Sequence, residues 1–353
     1  MSGGVMRLAL RETHVAFGAR LGVRRGWEVP LAYGDPEGEY RALRESAAAF
    51  DRSARSRFLV SGPDALDVLK GALAGPVEEL EEGRAGRFAV LDGEGNIADL
   101  VLAARTGGAA YLVSGEPERR GVLGEKLRGA IGDGFEVRVD DRTETTCTIG
   151  VAGPAAGQCM ARFVAEALPG RLGPLHCAAF EFHGFRALAV RTSDTGEGGF
   201  ELVVAPAVGS HLLGTLRSAG VALAGAEALE VARVEACIPA WTPDLEPGLS
   251  PAEADLDVLL GIPGGREGRI LAAFLLEGPP AVPGTAVTDE AGRRVGEVRS
   301  CLQAWGLKGA AGLAIIEAAA AYPGAALAAG GARLLVAAKP LYRRRTEGSA
   351  QRW

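Results

Sequence analysis

A chain of 353 residues, 48% hydrophobic and 23% charged, is long enough for a large core and two or three domains. Its net charge of −6 argues against a nucleic-acid binder that relies on a basic face, and the arginines near the end (Arg343-Arg344-Arg345, then Arg352) are too few to change that. Five scattered cysteines, odd in number and without a C-x-x-C pair, point to a reduced, cytoplasmic setting with buried thiols, no disulfide and no metal site. No secretory signal is expected at the N-terminus. No membrane span is expected either, because the most apolar window, Leu313 to Leu327, is broken by Glu317, Pro323 and Gly324.

In chain order, Trp27 and Pro30 read as packing residues of an amino-terminal segment, His14 to Tyr33. Glu39 to Asp51 predicts a helix with Leu43 and Ala47 on one face. A strand at Arg57–Ser61, a turn at Gly62-Pro63 and a helix carrying Leu66, Val68, Leu69 and Leu73 follow. Phe88–Leu91 and Asn96–Ala104 flank the turn Asp92-Gly93-Glu94-Gly95 and predict a hairpin. Asp99 lies inside its second strand, where an acid is disfavoured and must face solvent or a pocket; solvent is the plain expectation. Next come a strand at Tyr111–Ser114, a helix through Val122, Leu123, Leu127 and Ile131, and strands at Phe135–Val139 and Cys147–Val151. Gly153-Pro154 then turns into a helix, and His176 and His183 show no metal-ligand spacing.

Arg191 to Glu201 reads R-T-S-D-T-G-E-G-G-F-E and joins two β runs. Its glycines let backbone approach a ligand closely. Glu201, between Phe200 and Leu202, is costly there unless N–H donors meet it. Read from its residues alone, the segment is either a turn with solvated acids or one wall of a site. Helices are expected at Gly209–Leu216 and Gly225–Ala236. In the second, Arg233 stands among Val231, Ala232 and Val234, either as a site residue or in a surface pair with Glu230 or Glu235. Short β runs separated by Gly and Pro turns fill Leu271 to Tyr342.

The 191–201 stretch resembles the R-T-G-Y-T-G-E-D-G-F-E signature of the glycine cleavage T-protein (aminomethyltransferase) superfamily. The opening His14–Tyr33, Gly95-Asn96-Ile97-Ala98-Asp99-Leu100 and the carboxy-terminal Lys339-Pro340-Leu341-Tyr342 resemble other family segments, and the likeness runs from about Arg11 to Tyr342. It implies an α+β fold in two interleaved lobes (residues 1–265), a C-terminal β-barrel (270–343) and a tail (344–353). It also implies tetrahydrofolate as cofactor and transfer of a methylene unit from an aminomethyl or N-methylene donor. Under the resemblance Glu201 is the pterin anchor, its two oxygens matching the 2-amino and N3–H donors. Asp99 is the catalytic acid, Arg233 reaches the folate site, and Tyr33 and Trp241 lie along the substrate channel. Asp194 replaces a usual Tyr and Ser114 stands near a usual Asn, so both are expected in the folate pocket. The family lysine before Gly265-Arg266-Glu267 is absent, as is the K-G-C-Y-x-G-Q-E signature of the iron–sulfur assembly branch. The donor is therefore a small molecule or is carrier-bound, with a lipoyl carrier possible but not indicated. A demethylase yielding 5-methyltetrahydrofolate and a non-catalytic folate binder are the alternatives.

Overall fold

The computed structural model describes residues 4–246, 248–262, 264 and 268–343. Gly265-Arg266-Glu267 and the 344–353 tail lie outside the described residues. The fold is α+β, with two larger sheets, a small three-stranded sheet and a closed six-stranded barrel. The chain weaves between the two larger sheets. Strand Ala48–Asp51 belongs to the six-stranded sheet, the next strand, Ser56–Ser61, sits in the five-stranded one, and the chain returns at Cys147–Ala152. That weaving is the interleaving of the two lobes. The barrel runs from Arg269–Leu276 to Ala332–Ala337 and closes by pairing these two strands.

Each lobe has its own core. Helix Pro206–Ser218 presents Leu212, Leu213 and Leu216 to the six-stranded sheet, all fully buried against Ile149 and Leu202. Each such side chain contributes ~1.5–3 kcal/mol relative to exposure. Phe58, Leu69, Tyr111, Leu123 and Leu127 form the second core. A third cluster (Leu100, Trp241, Leu249, Leu313, Ile315) joins the five-stranded sheet to the barrel, so the barrel is packed onto a lobe.

Three sequence expectations need correction. The helix expected at Glu39–Asp51 runs from Pro36 to Glu45, capped by the Asp35 side chain, and Ala48–Asp51 is a strand. The alanines favour helix, but pairing with Cys147–Ala152 and Ala222–Leu223 overrides that weak preference. Phe50 faces Gly150 across this ladder, and a Cβ on Gly150 would stand 2.1 Å from its ring. The helix expected through Val122, Leu123, Leu127 and Ile131 is Arg120–Gly129, leaving Ile131 exposed beyond it. The strand expected at Phe135–Val139 is Arg138–Asp141, an edge of the five-stranded sheet, with Phe135 exposed before it.

Candidate active site

The lobes and the hairpin of strands Arg20–Arg24 and Trp27–Ala32 surround a cavity of about 370 Å³, in the range of small-molecule sites. Val29, Pro30, Phe50, Leu229 and Ile238 supply apolar wall. Arg24 and Arg25, at the hairpin tip, and Arg52, Arg55, Glu116 and Asp194 supply charge. Arg25 adopts a positive φ of 49° beside Gly26 at 80°, a turn that carries its side chain to Glu116 at 2.8 Å.

Asp194 is the hub of the inner end. It accepts from Arg52 Nη2, from Arg55 Nη1 at 3.0 Å and from Arg87 Nη2 at 3.3 Å. Three guanidiniums this close would repel one another without a counter-charge, so an Asp at this position balances local charge. Burial works against the charge on Arg55, but Glu116 and Asp194 outweigh it and raise its pKa; for Arg87 burial prevails and lowers it. None of these three arginines stood out in the sequence. For Arg52 and Arg55 the signal was R-S-A-R-S-R at 52–57, cations running into a buried strand; nothing marked Arg87.

Glu201 lies in strand Gly199–Val204, opposite Gly150 and next to Val190. It is 9% exposed, and Glu197 is fully buried, so the solvated-turn reading of the glycine stretch does not hold. Glu197 Oε1 instead accepts from Tyr342 at 2.6 Å, tying the segment after the barrel to the glycine turn. Glu201 Oε1 stands 3.6 Å from Arg52 Nε, too far for a hydrogen bond. Glu201 and Ser114 share a crevice with Arg57 of only about 10 Å³, room for one water, and do not line the main cavity.

Asp99 is fully buried, contrary to the solvent expectation. Its Oδ1 accepts from the Glu116 backbone N–H at 3.0 Å, while Oδ2 has no hydrogen-bond partner among the described residues. Burial, helped by Glu116, pushes its carboxyl well above the usual carboxylate range. Asp99 thus sits behind the wall that Glu116 presents to the cavity, and sequence reading missed Glu116. Room for Asp99 comes from Gly115, where a Cβ would stand 2.2 Å from Oδ2 and 2.9 Å from Leu123. Gly115→Ala is therefore expected to lower stability by about 1–3 kcal/mol in urea denaturation. Adding Asp99→Ala to it should recover most of that loss.

Arg233 does reach the cavity, but it is committed. It donates Nη1 to Asp244 and to Ile238 O at 3.3 Å, and Nη2 to Glu230 and to Ser300 Oγ at 3.0 Å. The expected pair with Glu230 does form, but Arg233 is buried, so it is not a surface pair. Tyr33 and Trp241 are not among the cavity-lining residues. Tyr33 donates to His14 Nδ1 at 2.7 Å, and His14 Nε2 donates to Asp51 at 2.7 Å, a buried relay that fixes the end of the Ala48–Asp51 strand. Trp241 is core, beneath the Arg119 guanidinium at 4.1 Å, while its neighbours Ala240, Thr242 and Pro243 line the cavity. All five cysteines are buried, and burial pushes the Cys147 thiol up to about 12.

The weave of two lobes around a charged cavity, with a barrel packed on one of them, defines a small-molecule enzyme scaffold. Residues 10–262 match the family model described as GCVT N-terminal domain, and the chain belongs to this glycine cleavage T-protein family. It is 34% identical over 254 residues to the aminomethyltransferase of Rubrobacter xylanophilus, covering 72% of this chain and 68% of that one. With the aminomethyltransferase of Streptomyces avermitilis it shares 31% identity over 342 residues, 90% and 91% of the two chains. The crystal structure of glycine cleavage system aminomethyltransferase T from Bartonella henselae superposes with a TM-score of 0.88 at 22% identity, over 97% of this chain and 99% of that one. At that identity the likeness speaks for the fold.

Proposed function

We propose that this chain is a tetrahydrofolate-dependent aminomethyltransferase whose pterin anchor is Glu201. The observation that carries the reading is a buried carboxylate at 201 with no hydrogen bond to its oxygens among the described residues, separated by the Arg52 guanidinium from a cavity with apolar walls that Arg52 lines. An acceptor kept free in so dry a place suits a ligand that brings N–H donors. The residues present fit the cofactor. Val29, Pro30, Phe50 and Leu229 offer apolar surface for a flat ring system, and the cavity is of ligand size. Tetrahydrofolate, when bound, supplies the nucleophilic amine that takes up the one-carbon unit.

The chain's own residues then have separable roles. Glu201 holds the ring edge, and the apolar wall excludes water. Asp99, shifted toward its protonated form and with Oδ2 uncommitted, provides a carboxyl that can manage a proton behind the Gly115-Glu116 wall. Glu116 brings negative charge to the cavity between Arg25 and Arg55. The donor is an aminomethyl or N-methylene compound, small or carrier-bound. Its access would pass the Arg24-Arg25 tip. Among the described residues no helix is long and apolar enough to cross a membrane.

Glu201→Gln tests the anchor. Affinity for tetrahydrofolate, measured by calorimetric titration, should weaken by about 1.5–3 kcal/mol, the range for a hydrogen bond to a charged group. Equal affinity in the two proteins would remove Glu201 from that role. Analysis of the product separates methylene transfer, yielding 5,10-methylenetetrahydrofolate, from methyl transfer.

A further inference from the structure

We propose that the one-carbon donor of this chain is a small carboxylate whose anionic end is held in the main cavity by Arg52 and Arg55; this rests on the folate reading above and narrows its donor. Both arginines line the cavity, with side chains 20% and 12% exposed. Each is only partly spent on protein partners. Arg52 gives Nη2 to Asp194 and keeps Nε buried, so the nitrogen it shows to the cavity is Nη1, which makes no hydrogen bond among the described residues. Arg55 gives Nη1 to Asp194 at 3.0 Å, with Glu116 Oε1 3.2 Å away. Its Nε and Nη2 make no hydrogen bond among the described residues, and neither is buried. Asp194 thus holds two guanidiniums by one nitrogen each and leaves their other N–H groups for the cavity.

Guanidinium donors in a partly dry cavity match a planar anion, and a carboxylate can meet them with two oxygens. Glu116, Asp194 and Glu201 already act on the Arg55 charge, so one further negative charge is tolerated better than the two of a phosphate. The position also fits the reaction. Arg55 and Asp99 are close enough for each to influence the other's protonation. A carboxylate anchored on Arg55 therefore brings the donor up to the Glu116 wall, on whose far side Asp99 stands. An aminomethyl arm carried on a thioether has no anion to offer here. The two guanidiniums thus select a free, acidic donor over a carrier-bound one.

The test is calorimetric titration of the full chain, with and without saturating tetrahydrofolate, for wild type, Arg55→Met and Arg52→Met. The probes are N,N-dimethylglycine and its primary amide, which share the amine and differ in the charge of the other end. Wild type should bind the carboxylate at least about tenfold more tightly than the amide, the lower end for a charged hydrogen bond. Saturating tetrahydrofolate should leave that binding in place. Each variant should bring the two probes within about threefold, through weaker binding of the carboxylate. Asp194 keeps two arginines in either variant and Glu116 keeps Arg25, so the local charge stays balanced. Arg55→Met should also keep its tetrahydrofolate affinity within about threefold, which shows an intact fold. A wild type without preference for the carboxylate overturns the proposal, and so does a preference that survives in either variant. Exclusion of the carboxylate by tetrahydrofolate overturns it as well, since the guanidiniums would then serve the folate's own glutamyl carboxylates. A wild type that binds the carboxylate but not tetrahydrofolate would instead overturn the folate reading.

Discussion

Arg233→Met is expected to lower the stability of the chain by about 3–5 kcal/mol, the cost of removing one partner from a buried ion pair. Asp244 is fully buried, and its oxygens are met by Arg233, Ser300 and the Ala240 N–H. Methionine fills similar space but leaves that carboxylate without its cation. The same guanidinium joins helix Ala226–Glu235 to the Trp241–Leu245 turn and to barrel strand Arg294–Gln303, so three elements lose their common tie. Urea denaturation at neutral pH measures the loss, and pairing the change with Asp244→Asn should recover part of it. A second signature lies in the pH dependence. Burial would raise the carboxyl of Glu230, but Arg233, Arg25 and Arg24 outweigh it and bring it down to about 2. A carboxyl lowered on folding gives stability that is present above its unfolded value and is lost as pH falls toward the folded one. The wild type should therefore lose this contribution between about pH 5 and pH 2, a loss much reduced in Arg233→Met. Were Arg233 only a ligand contact, the variant would bind folate less well with stability within about 0.5 kcal/mol of wild type.

Asp99→Asn should separate catalysis from stability in opposite directions. Turnover is expected to fall by about 10²-fold, as when a group that handles a proton is lost. Folate affinity should change little, because Glu201 and not Asp99 carries the anchor. Stability should rise at neutral pH. Asp99 is raised on folding, by burial first and then by Glu116, so its favourable contribution is complete below the unfolded carboxylate value. That contribution is lost as pH climbs toward the folded value, because the ionised form is penalised in the dry interior. Asparagine carries no such penalty and keeps the oxygen that accepts the Glu116 N–H. The difference between the two proteins should thus grow as pH rises above about 4 and be small below it. Single-turnover transfer, folate titration and denaturation across pH together check all three. Unchanged transfer with Asn at 99 would remove the catalytic role, and a less stable variant at neutral pH would show that the carboxylate is ionised and paired.

Much of the fold was legible because local patterns agreed with it. The hairpin around Asp92–Gly95, the helix carrying Leu212, Leu213 and Leu216, and the β-rich carboxy-terminal third all follow from period and turn chemistry. The sequence by itself also determined the family, through the 191–201 stretch and the segments around it, and it marked Asp99 and Glu201 as acids out of place in strands. What it could not determine is where charges separated by tens of residues meet. Ala48–Asp51 reads as helix until its partners at 147–152 and 222–223 exist. Asp194 reads as a lost aromatic wall until Arg52, Arg55 and Arg87 converge on it. Arg233 reads as a folate-site residue or a surface pair until Asp244 and Ser300 take up its donors in the interior. Tyr33 and Trp241 fit a channel by position but are turned into a relay with His14 and into the core. Hydrophobic period is a short-range property of the chain, set by which face of each element must leave water. Ion-pair partnership is set by packing, because a buried charge takes whichever opposite charge the tertiary fold brings within a few ångströms.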